Sequence, residues 1–332
     1  MRTSVVLVTY NGAPYVEEQL ASILDQSRPP DELVLRDDAS SDDTVARARR
    51  LLAARSINAT IVTARENGGV VANVEAALAL ATGELIFLAD QDDAWHPTKI
   101  ERMLPHFADG RVDAVFSNGD VVDEAGRTLG YTLWDWCRFD ATEQVRFARG
   151  EALPVVLRRN VATGAALAIR SSFRDRALPL PRSCLHDEWL ALLAAAGGGL
   201  ALEPTCLIRY RQHGANQVGA ARRSLRARMR DARRTDNGRR LDDQLATTRA
   251  AIARVTKIPG GAAALAHLEA RAHHLERRRA AAALPLAQRL GPVARELGRG
   301  GYQRFADPRH ALRDLLAPRS SSTSRGVATS SE

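Results

Sequence analysis

Lysine is nearly missing from this sequence. Of 47 basic residues only Lys99 and Lys257 are lysines, the rest being arginine. No Gly-x-x-x-x-Gly-Lys run occurs, and no Gly-x-Gly-x-x-Gly follows the first apolar segment. Both absences argue against P-loop and dinucleotide chemistry, in which glycine-rich backbone and a lysine hold phosphate. Cysteine is also scarce: Cys137, Cys184 and Cys206 lie far apart with no C-x-x-C. That excludes a full disulfide framework and the spacing of a zinc site, and makes reduced, cytosolic thiols the expectation. Long apolar runs are missing too. Trp189 to Leu202 is the longest, and Gly197-Gly198-Gly199 interrupts it, short of the roughly 20 residues that cross a bilayer. The apolar run at Val5–Val8 is too short for a signal peptide, and Thr9-Tyr10-Asn11-Gly12 is no cleavage site.

What is present belongs to an ordinary soluble globular protein: 45% hydrophobic and 26% charged residues in a 332-residue chain, enough for one large core or two domains. The charge is unevenly spread. Residues 1–218 carry 23 Lys+Arg against 29 Asp+Glu, a net of −6, whereas residues 219–332 carry 24 against 10, a net of +14. An acidic body joined to a basic region implies two environments.

Short apolar runs at Ser4–Thr9, Leu33–Leu35, Thr60–Val62 and Leu85–Ala89 read as strands buried on both faces. Helical periods separate them: Val16, Leu20, Ile23 and Leu24, then Val45, Ala48, Leu51 and Leu52, then Val70 to Ala81. This βαβαβαβ alternation predicts an α/β fold with a parallel, doubly wound sheet. Right-handed crossovers put every strand's carboxyl end on one edge. Thr9-Tyr10-Asn11, Asp37-Asp38, Glu66-Asn67 and Asp90-Gln91-Asp92 therefore converge, where such folds place ligands. Asp90 and Asp92 are two apart, so a chain leaving strand geometry can turn both toward one hard cation. The alternative for that acidic turn is capping of a helix started by Pro97.

The segments Val5-Val6-Leu7-Val8-Thr9-Tyr10-Asn11, Asp37-Asp38-Ala39-Ser40-Ser41-Asp42-Asp43-Thr44 and Asp90-Gln91-Asp92-Asp93 resemble, in order and spacing, the signatures of family 2 glycosyltransferases with the GT-A fold. The resemblance covers at least residues 3–218. It implies a Rossmann-like, mostly parallel sheet flanked by helices. It also implies a nucleotide-sugar donor site in which Thr9, Tyr10 and Asn11 flank the base and Asp38 or Asp37 hydrogen-bonds it. Asn67 joins that set. Asp90-Gln91-Asp92 resembles the D-x-D motif that holds the ribose and a Mg²⁺ or Mn²⁺ on the diphosphate. Asp92 is the expected metal ligand, Asp90 lies nearer the nucleoside, and Asp93 is structural.

The resemblance places a general base at the start of the apolar run that follows Cys184-Leu185-His186. Asp187 matches best, and Glu188 stands as a competitor. Both carboxylates would also favour a helix N-terminus electrostatically. Arg209-Tyr210-Arg211-Gln212-His213-Gly214 resembles a segment that closes over the diphosphate, with Arg211 on phosphate oxygens and His213 completing the metal or phosphate site. Asn160 to Ala166 resembles the acceptor side, and Ser117-Asn118-Gly119-Asp120 is expected at a further strand end. Trp95, Trp134 and Trp136 are candidates for stacking on sugar faces.

Beyond residue 218, arginines crowd residues 222–240. Leu241, Leu245, Thr248, Ile252 and Val255, then Leu265, Leu268, Ala272 and Leu275, form two stripes around a Pro259-Gly260-Gly261 break. Two amphipathic helices in a hairpin are expected, with one more after Gly300, again resembling rhamnosyltransferase-like members. The expected organisation is a GT-A domain over 1–218, a basic helical extension over 219–317, and a disordered tail over 318–332. The excess arginine is read as a solvated face, a nucleic-acid contact or a seat on anionic lipid. No nucleic acid is expected, since no binding motif accompanies the charge.

The function expected is a metal-dependent, inverting hexosyl transfer from dTDP-rhamnose or another NDP-hexose to a glycan or lipid-linked acceptor. It would take place in the cytoplasm, at the inner face of the membrane if lipid is the seat. The rivals are a nucleotidyltransferase, which needs a lysine-bearing glycine loop after the first strand, and a non-catalytic binding module.

Overall fold

The computed structural model describes residues 1–213 and 237–318. Its centre is strand β1, Thr3–Thr9, every residue of which is buried. Successive side chains of a strand point to opposite faces, so an unbroken apolar run requires cover on both sides. Each fully buried Val or Leu there contributes about 1.5–3 kcal/mol. Helices α1 (Val16–Leu24), α2 (Thr44–Ala53) and α3 (Val70–Leu80) link β1 to β2 (Glu32–Asp37), β3 (Ala59–Thr63) and β4 (Leu85–Asp90). β2 and β4 both pair with β1 in parallel, and β3 extends from β2. The chain thus leaves β1 on one side and returns on the other, which opens a crevice at the carboxyl ends of β1 and β4.

Beyond β4 the sheet is mixed and not mostly parallel. The following elements are β5 (Ala94–Trp95), α4 (Lys99–Met103), β6 (Ala114–Val122) and β7 (Thr128–Thr132). Then come α5 (Leu133–Cys137), α6 (Ala141–Ala148), α7 (Ala152–Val156), β8 (Leu167–Arg170), α8 (Ser171–Ala177), α9 (His186–Ala196) and β9 (Leu200–Arg211). The strand order is β3-β2-β1-β4-β8-β6-β9-β5, with β7 on β6. β8 inserts antiparallel to both β4 and β6, after an excursion through three helices that no βαβ rule governs. Ser117 to Asp120, expected at a strand end, lies inside β6, where the register with β9 shifts. Pro97 precedes α4 by two residues, so the acidic turn at Asp90–Asp93 caps no helix.

Two long helices, α10 (Asn237–Val255) and α11 (Leu265–Ala283), pack side by side as the expected hairpin. Leu241, Leu245, Thr248 and Val255 of one stripe are buried, as are Leu268, Ala272 and Leu275 of the other. The turn between them sits on the end of α9: a Cβ on Gly197 would lie 2.8 Å from Ile258 Cγ2. Val255, Ile258, Ala264 and Leu268 join the same hydrophobic core as the sheet. Arg254 donates to the carbonyls of Arg176 and Leu178, and Ser183 Oγ meets Thr247 Oγ1 at 2.7 Å. The chain ends in α12 (Leu290–Gly298), α13 (Gly301–Phe305) and α14 (Arg309–Leu316). The junction at 218–219, most of the arginine run at 222–240 and the tail from residue 319 lie outside the described residues.

Candidate functional site

The crevice is a cavity of about 830 Å³, in the range of small-molecule sites. At its β1–β4 seam the two strand ends are stitched by one side chain. Tyr10 N donates to Gln91 Oε1 at 2.7 Å, and Gln91 Nε2 donates to Tyr10 O at 2.9 Å. The bracing amide lies close against Gly12, where a Cβ would fall 2.1 Å from Gln91 Oε1 and push that side chain aside. Gln91 lines the cavity, yet its amide braces the backbone.

Loop carboxylates hold the neighbouring wall. Thr9 Oγ1 donates to Asp37 Oδ1 at 2.8 Å, and Ser40 N donates to Asp37 Oδ2 at 2.8 Å. Asp37 is fully buried and lies off the cavity. Asp38 lines it and accepts from the amides of Gly68 (3.0 Å) and Gly69 (2.8 Å). Asn67, also on the wall, accepts from Gly69 N at 3.1 Å. Asn11 bonds Ser41 N through Oδ1 and Ser40 Oγ through its own amide. These bonds give the β2 and β3 loops one shape.

At the other wall Asp92 Oδ2 and His213 Nε2 meet at 2.8 Å. The Tyr15 ring stacks on the His213 imidazole, centroids 5.0 Å apart and planes 22° off parallel, and Tyr15 donates its hydroxyl proton to Glu124 at 3.2 Å. Asp90 also lines the cavity; burial and then the Asp92 charge push its carboxyl up to about 6. Asp93 turns the other way and is buried, accepting Arg211 N at 3.0 Å.

Arg211 departs from its expected place. It is 3% exposed and does not line the cavity. Its guanidinium donates to the carbonyls of Asp92 (2.9 Å) and Glu124 (2.8 Å) and to Glu18 Oε2 (2.6 Å). It clamps the Asp92 loop to the β6–β7 turn and to α1. The strand period places Arg209 and Arg211 on one face of β9, but only packing shows that Arg211 is covered while Arg209 is exposed.

Asp187 stands in the first turn of α9 and lines the same cavity. Gly164 N donates to its Oδ2 at 3.2 Å and Glu188 N to its Oδ1 at 2.6 Å. Burial outweighs these bonds and raises the carboxyl to about 6. Gly164 is required by close approach, since a Cβ would sit 2.4 Å from His186 Nε2. Glu188 does not line the cavity; burial raises its pKa, while Arg271 of α11 counters that rise. Trp95 and Trp134 are packing residues of the core, and of the three candidate tryptophans only Trp136 is exposed.

Comparison with known proteins decides the family. A model described as glycosyl transferase family 2 matches residues 4–168. These residues belong to glycosyl transferase family 2. The matched segment of this family 2 domain contains β1 to β4 and the Asp90–Asp92 turn. An uncharacterized glycosyltransferase of Nostoc sp. is 30% identical over 131 residues, 39% of this chain and 40% of that protein. The chain thus spans less than half of that relative's length. The dTDP-rhamnosyl transferase RfbG of Shigella flexneri is 27% identical over 226 residues, 64% of this chain and 74% of RfbG. The fold is that of GT-A glycosyltransferases. A mannosyltransferase of Pyrobaculum calidifontis, solved with GDP-Man and Mn²⁺, superposes with a TM-score of 0.57 at 22% identity, covering 95% of this chain and 84% of that one. TarS of S. aureus, solved with UDP-GlcNAc, gives 0.55 at 16% identity, covering 83% and 72%.

The cavity also draws in residues to which sequence reasoning assigned no separate role: Tyr15, Asn73, Glu124, His186 and Tyr210 all line it. His186 had a signal in its position beside Asp187. Tyr15 and Glu124 had none, because nothing in their local sequence ties the start of α1 to the β6–β7 turn. Among the described residues His186 Nδ1 is buried without a partner, and burial lowers the ring's pKa, which favours the neutral imidazole.

Proposed function

We propose that the chain is a metal-dependent, inverting glycosyltransferase. It would move a hexose from a nucleotide-sugar donor, dTDP-rhamnose or another NDP-hexose, to a hydroxyl of a glycan or lipid-linked glycan. The observation that carries this reading is that two devices line one cavity: the Asp92–His213 pair, and an Asp187 carboxyl raised to about 6.

Thr9, Tyr10, Asn11, Asp38 and Asn67 form the nucleoside wall, and Asp90 and Gln91 the ribose side. Asp92 and His213 supply one oxygen and one nitrogen for Mg²⁺ or Mn²⁺. Among the described residues no three His, Cys, Asp or Glu groups gather to hold an ion alone. Such a pair suits a cation that takes its remaining ligands from diphosphate and water. When bound, the ion neutralises the charge growing on the departing diphosphate. Asp187 takes the proton of the acceptor hydroxyl as it attacks in line, displacing the diphosphate in a single step. His186, held neutral beside Asp90 and Gly164, shapes the floor between donor and acceptor. Glu188 faces α11 and holds no proton in transit.

In cell-surface polysaccharide or glycoconjugate synthesis the acceptor would lie at the inner face of a membrane, with the basic C-terminal region resting on anionic lipid. No described helix is long and apolar enough to cross a bilayer. The test is release of UDP, dTDP or GDP from a panel of donors, with Mn²⁺ and with EDTA. Metal-dependent release from one nucleotide class is expected. Equal release with EDTA present refutes the metal assignment, and a Mn²⁺-independent thermal shift with every nucleotide points to a binding module.

Tyr15 supplies a second check. Replacing it with Leu removes the face that holds His213 while leaving the nucleoside wall intact. The Mn²⁺ concentration needed for nucleotide binding should rise about three- to tenfold, the loss of roughly 1 kcal/mol of ring packing. Nucleotide binding without metal should stay as in the parent protein. A Mn²⁺ titration of binding decides it.

A further inference from the structure

The last helices bury Val293, Tyr302 and Phe305, yet they and the turn before them leave four leucines outward. In α14 the buried residues are Ala311 and Asp314, while Leu312 and Leu316 point outward. Asp314 is wholly enclosed, taking hydrogen bonds from Arg278, Tyr302 and Asn237. Leu286 and Leu290 have the same four-residue spacing across the turn into α12. All four leucines are between 41% and 65% exposed. Arg289 ties the two pairs together. It donates to the carbonyls of Asp314 (3.2 Å) and Ala317 (2.6 Å), which seats the Leu286–Leu290 turn on the end of α14.

The exposed charge of the same stretch is mostly positive. Arg295, Arg299, Arg304 and Arg309 are exposed. Of the carboxylates, Glu296 is buried against His274 and Arg277, whereas Asp307 is partly exposed and pairs with Arg138 and Arg309. Residues 237–318 hold 15 Lys+Arg and 7 Asp+Glu. We infer that the face formed by Leu286, Leu290, Leu312 and Leu316 docks on an anionic lipid bilayer, the leucines entering the headgroup boundary and the arginines meeting lipid phosphate. Exposed leucines in a stretch whose surface charge is mostly arginine are the chemistry of an interfacial surface. A second copy of the chain would set one arginine rim against another.

This docking rests on the reading that the acceptor is presented at a membrane, and its test is read separately from the transfer reaction. The full-length chain is sedimented with vesicles of phosphatidylcholine alone and of phosphatidylcholine with about one-third phosphatidylglycerol. Binding to the second only, weakened by salt, is expected. The double variant Leu290→Gln, Leu312→Gln should partition roughly tenfold more weakly. Its melting temperature and Mn²⁺-dependent nucleotide binding should be unchanged, because both side chains are already in solvent. Absence of binding to either vesicle overturns the inference, as does equal binding by the variant, which would assign the attraction to arginines elsewhere. A leucine-dependent dimer seen by ultracentrifugation without vesicles overturns it too. Failure of vesicle binding with metal-dependent nucleotide binding intact leaves the transferase reading standing.

Discussion

Asp187→Asn is expected to lower turnover by about a thousandfold, within the range of general-base catalysis, with nucleotide binding preserved. The amide keeps the shape of the carboxylate and its contact with Gly164 N, but it takes no proton from the acceptor. Stability separates this from misfolding. The Asp187 carboxyl is raised from 3.8 to about 6 by burial. A group with a raised folded pKa favours the folded state below its unfolded pKa, and that contribution is lost as pH rises through about 6. At neutral pH the ionised Asp187 therefore strains the fold, and the Asn variant should melt at the same temperature or higher. In the parent protein kcat/KM should climb with pH through about 6 and level off above it, as the base ionises. Glu188→Gln should keep most of the activity, since Glu188 lies off the cavity. Activity near the parent level in Asp187→Asn, or its loss only in Glu188→Gln, reverses the assignment.

The donor edge was legible because each of the first four strands is an apolar run ending in a polar loop, and crossover handedness does the rest. Thr9, Asp38, Asn67 and Asp90 meet as expected for that reason. Distinguishing which polar groups face the cavity was beyond the pattern. Asp37 and Asp38 are adjacent, yet one is enclosed by Thr9 and Ser40 while the other lines the cavity and holds the Gly68–Gly69 turn. Arg211 looked like a phosphate ligand by its motif, but its partners Glu18 and Glu124 come from elements about 190 and 90 residues away, and no local signal encodes such distances. The mixed half of the sheet was illegible for a related reason. β8 is a four-residue strand, and its direction depends on the excursion before it, whose composition carries no handedness rule. The helical hairpin was legible by its stripes. Its seat on α9 was not, since the contacts run through Gly197 and through backbone carbonyls, which any residue could offer.

Lys99→Met is expected to cost the fold about 1–3 kcal/mol, the penalty for leaving the buried Ala165 carbonyl without its donor. Lys99 is one of two lysines in the chain and has no exposed surface. Its ammonium lies 3.8 Å from the Trp95 ring centre and donates to the Ala165 carbonyl. Burial holds its pKa well below the usual lysine range, while the Asp93 and Asp90 charges oppose that fall. In return Asp93 is raised well above the usual carboxylate range, by burial first and then by Asp92 and Asp90. Lys99 thus lies beneath the acidic turn, in the field of Asp93 and Asp90. Methionine matches its length and leaves Asp93 without the lysine's charge. The Asp93 pKa then rises further, so its stabilising share is lost over a wider span as pH climbs. The deficit against the parent protein should be larger at about pH 8 than at about pH 5, measured as the difference in melting temperature. The same Lys99 amine bonds Ala165, the residue after the Gly164 that donates to Asp187, so the acidic turn and Asp187 share one buried support. The variant should therefore lose metal-dependent nucleotide binding and turnover together, at temperatures where circular dichroism still reports a folded chain. If both functions and the melting temperature survive the substitution, Lys99 is a packing residue and the acidic turn holds its charge without it.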